Sequence, residues 1–337
     1  MAVRPETKFR WFDRGAEAAR AFFPSFKTAT GDELTEPYYV CPLCIRRDEV
    51  TGRYSFRMLR RGAVGSGELT SEHVPPESFA GRDLLLTCAE CNHRAGAFLD
   101  SHARRRENPG DVFAGRPTTP LAVNVTAGGH TLSASFENQE GVLAIKINKE
   151  KYQKPGALEG FRAVTQFAAG QPSDINIDFS GDRHSERNAR ISWLRTAYLA
   201  AFACMGYRYI FSPALDPVRR QIADPEAEHI RLWMVTTPGE HDWTERTFVT
   251  VRQPESLHGY CARVGRHIIF LPAPWDMDFY DRLAESRDSG DSSVMVNGQS
   301  YEWPHEPSFG LPLPQSKPDS EQASEGRPPE NAPSDNL

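Results

Sequence analysis

Two Cys-x-x-Cys pairs, Cys41/Cys44 and Cys88/Cys91, constrain this chain more than any other feature. Four thiolates are the ligand set of a closed tetrahedral zinc site, with each sulfur about 2.3 Å from the metal and no position open for water or substrate. The expected Zn²⁺ is therefore structural. The pairs flank 43 residues, Ile45 to Thr87, more than a compact finger spans. The metal would tie the ends of a loop, and the chemistry is to be sought inside it. Cys204 and Cys261 stand in the apolar or mixed settings AAFACMGY and LHGYCARV and read as buried small hydrophobes. Cysteines used this way fit a reducing compartment. No apolar run approaches the roughly 20 residues of a membrane-spanning helix, and MAVRPETKFRWFDRG lacks the apolar stretch of a leader. A cytoplasmic location with no membrane partner is the expectation.

The 337 residues carry 39% hydrophobic and 25% charged side chains, enough for one large or two medium cores. The fold class expected is α+β. Residues 1–40 hold a short helix, WFDRGAEAARAFF, a connector, and PYYV, whose aromatics should pack on the knuckle segment next in the chain. Residues 41–112 read as knuckle, strands (YSFRML, ELTSEHV, DLLLTC) and a helix, CNHRAGAFLDSHARRR. PGDVFAGRPTTP marks a boundary. Within 121–310 an antiparallel meander (LAVNVTAG, HTLSASFEN, GVLAIKIN) precedes a helix between Ser185 and Tyr207. Its apolar stripe is Ile191, Leu194, Tyr198, Phe202 and Met205. IRLWMVTTP, TFVTVRQP and HIIFLPAP add further strands, and the Pro-, Ser- and acid-rich tail, 311–337, should be disordered.

The net charge of −6 argues against a protein that grips nucleic acid with its whole surface. The knuckle segment differs. Between Cys41 and Arg106 eleven arginines and no lysine face eight acids, a local excess of three positive charges. The planar fork of arginine suits phosphate.

Between the cysteine pairs lies Glu72-His73-Val74-Pro75, then a Gly-containing loop, Leu84-Leu85-Leu86-Thr87-Cys88, and Cys91-Asn92 opening a helix. Over about 65 residues this arrangement resembles the zinc-bearing form of the HNH endonuclease family. The resemblance implies a ββα-metal module, two antiparallel strands and a helix around one divalent cation, and hydrolysis of phosphodiester bonds, with DNA the expected substrate. Nothing in the residues themselves excludes RNA.

By that resemblance His73 falls where the family has its catalytic histidine. Such hydrolysis needs a base to take a proton from water and a cation to neutralise charge on the phosphate, and imidazole, with an ordinary pKa near ~6.5, suits the first task at neutral pH. Glu72 matches the acid that precedes this histidine and would be a hard oxygen ligand for Mg²⁺ or Mn²⁺. Neighbours on a strand face opposite ways, and Pro75 and Pro76 are expected to relax that alternation. The last ligand falls on Asn92 or His93. On a regular helix Asn92 shares its face with Ala95, Gly96, Leu99 and Ala103, a strip that can lie on the hairpin, whereas His93 shares a more solvated face with Ala97, Asp100 and Arg104. Asn92 is preferred and His93 held in reserve. Asp83 stands where the family carries an orienting asparagine, and it would accept the imidazole N–H of His73.

Arg57, Arg60, Arg61, Arg94 and the run Arg104-Arg105-Arg106 are the candidate phosphate contacts. The rival reading is a non-catalytic zinc-knuckle module that binds nucleic acid or protein. A homodimer is compatible with either. Glu228-His229 and Glu240-His241 repeat the Glu-His dipeptide without flanking thiolates and read as surface pairs, and no GxxxxGK[ST], GxSxG or GxGxxG element is present.

Overall fold

The computed structural model describes residues 3–24, 36–116, 118–149, 153–167, 174–179, 184–239, 241–288 and 297–310. The tail from Leu311, expected to be disordered, lies outside them, as does much of the connector before PYYV. The protein is mixed α+β.

Helix α1 (Pro5–Phe22) begins with proline at its first position, where the missing N–H costs nothing, and buries Trp11, Phe12, Ala16 and Ala19. Strand β1 (Tyr38–Val40) is buried throughout and pairs antiparallel with β2 (Met58–Arg60). As expected for PYYV, Tyr39 packs inward, and its hydroxyl donates to the Leu86 carbonyl at 2.8 Å. Next comes a hairpin, β3 (Leu69–Val74) with β4 (Arg82–Cys88), and then a helix, α2 (Ala89–Ala95). A single π turn (Gly96–Asp100) joins α2 to α3 (Ser101–Phe113). The helix therefore runs through Pro109, and the boundary expected at PGDVFAGRPTTP falls after Phe113. Burial of Ala103, Glu107 and Val112 supports the helix across the donor that Pro109 lacks.

The meander is present as β5 (Leu121–Ala127), β6 (His130–Gln139) and β7 (Val142–Ile147). Helix α4 (Ala157–Phe167) packs on it, and β8 (Asn176–Asp178) adds an edge, giving the order β8-β5-β6-β7. This sheet has a small core of its own, Val112, Leu121, Val123, Val125, Ala134 and Phe136.

Everything else shares one core. Helix α5 (Glu186–Met205) is capped by Ser185, whose hydroxyl accepts from the Asn188 N–H, and it is buried on every side rather than along one stripe. It lies against α3, β3 and β4 and against a five-stranded sheet. That sheet contains β9 (Met234–Thr236), β10 (Arg246–Gln253), β11 (Gly259–Val264), β12 (His267–Pro272) and β13 (Asn297–Glu302) in the order β9-β12-β11-β10-β13. The apolar cluster runs without a break from Trp11 through Leu85, Leu99 and Phe202 to Phe270 and Trp303. The knuckle segment and the C-terminal region are therefore packed as one body around α5. Cys204 and Cys261 are buried in it, and burial pushes each thiol up to about 12.

His241 departs from its reading as a surface residue. Its side chain is 6% exposed and stands edge-on to Trp243, with ring centroids 4.4 Å apart. Trp243 stacks on Trp193 of α5 at 5.5 Å, and both hold Phe79 from the loop between β3 and β4. That aromatic nest fixes the loop beside the candidate site.

Candidate metal centre and hydrolytic cleft

The four cysteines come from four consecutive or paired elements. Cys41 follows β1, Cys44 closes a short 3-10 turn, and Cys88 ends β4 at the N-cap of α2, which puts Cys91 in the first helical turn. Their sulfurs all lie within 4.8 Å of one another, with Cys44 at 3.5 Å from Cys88 and 3.6 Å from Cys91. Tetrahedral coordination at about 2.3 Å sets sulfurs about 3.8 Å apart, so the group could hold a metal ion such as zinc. The backbone N–H of Cys88 donates to the Cys41 sulfur at 3.3 Å, a contact that suits a thiolate. Burial pushes the Cys41 thiol far up, while hydrogen bonds from Cys41 and Cys44 pull Cys88 far down. Among the described residues this is the only set of three or more His, Cys, Asp or Glu side chains gathered so closely.

The hairpin carries His73 and Asp83 opposite each other. Pairing runs from Leu69↔Cys88 to Glu72↔Leu85, skips Leu84, and resumes at His73↔Asp83. That extra residue on β4 is a bulge, which increases twist locally. Glu72 and His73 both line one cleft although they are neighbours on a strand. His73 Nε2 stands 3.6 Å from Asp83 Oδ2; the Asp83 side chain is buried, and its Oδ1 has no partner. Gly81 closes the loop because a Cβ there would sit 1.8 Å from the Pro75 carbonyl oxygen.

The cleft has a volume of about 490 Å³. Glu72, His73, Asn92 and Asp100 line it together with Arg104 and Arg105. Asn92 donates its amide to Thr70 Oγ1 and to the Ser71 carbonyl, both at 3.0 Å, so it bridges α2 to β3 as the apolar strip around it suggests. Its Oδ1 accepts no hydrogen bond from a described residue. His93, the reserve ligand, is exposed and does not line the cleft.

A regular helix would put Asp100 and Arg104 on the face of His93, and the structure reverses this. A π turn is one residue longer than an α turn. Beyond it, Asp100, Arg104 and Asn108 line the cleft with Asn92 and Gly96.

Glu72 is buried, and its neighbours are unexpected. Thr87 Oγ1 donates to it at 2.9 Å, and Arg195, 1% exposed on α5, forms a close ion pair with it. The same guanidinium lies 3.4 Å from Asp100 Oδ2, and Ser192 Oγ donates to Asp100 Oδ1 at 2.6 Å. Burial raises the Glu72 carboxyl above its ordinary value although Arg195 opposes it. Burial works against the charge on Arg195 too, but Glu72 and Asp100 together outweigh it. Arg195 was missed from the sequence, although a signal exists: it is the only charged residue between Arg190 and Arg208.

The remaining arginines are distributed otherwise than expected. Arg57 pairs with Glu68 and Glu90, Arg60 with Glu36, and Arg61 with Asp13, all partly exposed contacts and therefore weak. Arg106 is tied to Glu107 and Glu186, and Arg94 is exposed beside a separate apolar pocket. Arg104, bonded to Thr119 Oγ1, and Arg105 are the two that line the cleft. Compared with known protein families, with curated proteins and with solved structures, the chain matches none significantly.

Proposed function

We propose that this protein is a metal-dependent endonuclease of the HNH type that hydrolyses phosphodiester bonds, with DNA as its substrate. The observation that carries the reading is His73 facing Asp83 across the hairpin at a cleft lined by oxygen donors and by two arginines. In this reading Asp83 takes the N–H of His73 Nε2 and leaves Nδ1 to accept a proton from water. The water oxygen bonds to phosphorus, the bond to the leaving sugar oxygen breaks, and that oxygen is protonated by solvent. Arg104 and Arg105 hold the substrate phosphates. Glu72 and Asn92 supply hard oxygen ligands for Mg²⁺ or Mn²⁺, which when bound offsets charge on the phosphate and the leaving oxygen. Zinc on the four cysteines is a separate, structural metal that fixes the hairpin to the helix.

A second reading, a nucleic-acid-binding module without catalysis, is favoured by one observation: Glu72 is already paired with Arg195. A single assay separates the two. Purified protein incubated with plasmid and Mg²⁺ or Mn²⁺ should nick it, and His73→Ala should lower the rate by about 10²- to 10⁴-fold, the ordinary contribution of a general base. Wild-type protein that binds plasmid without nicking it across a range of metals, or His73→Ala that cuts equally well, sinks the catalytic reading.

A further inference from the structure

We infer that Arg195 and Asp100 form a hand-over pair: Asp100 is the second carboxylate onto which the buried guanidinium shifts when Glu72 turns to a divalent cation in the cleft. The inference rests on the proposed role of Glu72 as a cation ligand.

Glu72 as found has little left to offer a metal. One oxygen accepts from Thr87 at 2.9 Å, and the other is held by Arg195. Pulling Glu72 away would leave a guanidinium with 1% exposure unpaired, at a cost no hydrated cation readily offsets. Asp100 removes that obstacle. Arg195 Nη1 lies 3.5 and 3.4 Å from its two oxygens, longer than a good charge-assisted hydrogen bond, so the contact has room to tighten.

Two features hold Asp100 in place for this. The π turn carries it onto the cleft side of the helix. Ser192, three residues before Arg195 on α5, fixes its Oδ1 at 2.6 Å. The Arg195–Glu72 pair is the state without the cation, and the Arg195–Asp100 pair is the state with it. Asp100 and Arg195 are positioning residues that act through Glu72.

The test is Mn²⁺ binding to zinc-loaded full-length protein, followed by electron paramagnetic resonance of free Mn²⁺, with zinc content and melting temperature as controls for folding. Asp100→Asn keeps the shape but weakens the alternative acceptor, and it should reduce Mn²⁺ affinity about tenfold or more, as loss of an indirect partner of a ligand does. Arg195→Gln frees Glu72 and should tighten Mn²⁺ binding while lowering the melting temperature. Unchanged affinity in folded Asp100→Asn overturns the inference whatever Arg195→Gln does, and so does wild-type protein that binds no Mn²⁺. Plasmid nicking is read separately: His73-dependent nicking with unchanged Mn²⁺ affinity in Asp100→Asn leaves the nuclease standing and removes the hand-over. Weakened affinity without nicking does the reverse.

Discussion

A charged side chain placed beyond the reach of water has to be matched by its neighbours, and two clusters in this protein are built on that requirement. One joins Arg195, Glu72 and Asp100 under the cleft. The other joins Glu107 of α3 to His267 of β12, at 3.1 Å, and to Arg106 and Arg266. Burial raises the Glu107 carboxyl, but the hydrogen bond from His267 and the nearby positive charges outweigh it and bring it down to about 2. In the unfolded chain the same carboxyl titrates at its ordinary 4.5. A depressed folded value means the contribution to stability is complete above pH 4.5 and is lost as the pH falls toward 2. The size of the shift corresponds to about 3 kcal/mol. Glu107→Gln should therefore be less stable than wild type by roughly that amount at pH 7 in urea denaturation, and the gap should close on acidification. A gap that is constant with pH would remove the charged network as its cause. At this scale a pattern in the sequence marked the cysteines, which the fold gathers, and His73 and Asn92, which it brings to one cleft. Asp100 and Arg195 were not, because what marks them is a partner distant in the chain.

The elements around the cleft were visible as segments, but not in their irregularities. LTSEHV and DLLLTC are short segments separated by a Pro- and Gly-containing loop, and CxxCN opens a helix, so a hairpin followed by a helix could be read directly. The bulge at Leu84 and the π turn at Gly96–Asp100 could not, since each substitutes a local defect for a tertiary gain. The bulge sits on β4 beside the pairing of His73 with Asp83, and the π turn delivers Asp100 to Ser192 and Arg195. The staple across these elements is the cysteine cluster. Protein purified without chelator should carry one zinc per chain by elemental analysis. Cys44→Ser, at the least buried of the four, should lose that zinc and several degrees of melting temperature. Full stability with clearly less than one zinc per chain would show that packing alone joins knuckle and helix.

For the whole molecule the sequence conveyed the mixture of α and β, the meander and the central helix, but not how they assemble. The stripe on α5 reads as one apolar face, whereas Ala197, Ala200, Ala201 and Ala203 complete a helix buried all round. Alanine is too weak a hydrophobic signal to reveal this in one dimension. Because Trp193, Leu194, Tyr198 and Phe202 of α5 belong to the same core as Leu85 and Leu99, residues 1–113 alone should not fold. Their far-ultraviolet melt should show no cooperative transition, whereas a sharp one with zinc retained would make the knuckle an independent domain. The cleft is likewise a property of the assembled chain: β3, α2, α3 and Thr119, Pro120 and Ala122 all line it. Hydrolysis in that cleft depends, on the reading proposed, on the imidazole of His73 removing a proton from water. Chemical rescue of His73→Gly isolates this step, because free imidazole can replace the missing base only if a base is what was lost. His73→Gly should leave plasmid intact with Mg²⁺ or Mn²⁺ and regain nicking in proportion to added imidazole; a variant that cuts without imidazole, or that stays inactive with it while still binding DNA and Mn²⁺, would contradict the role of His73 as the base.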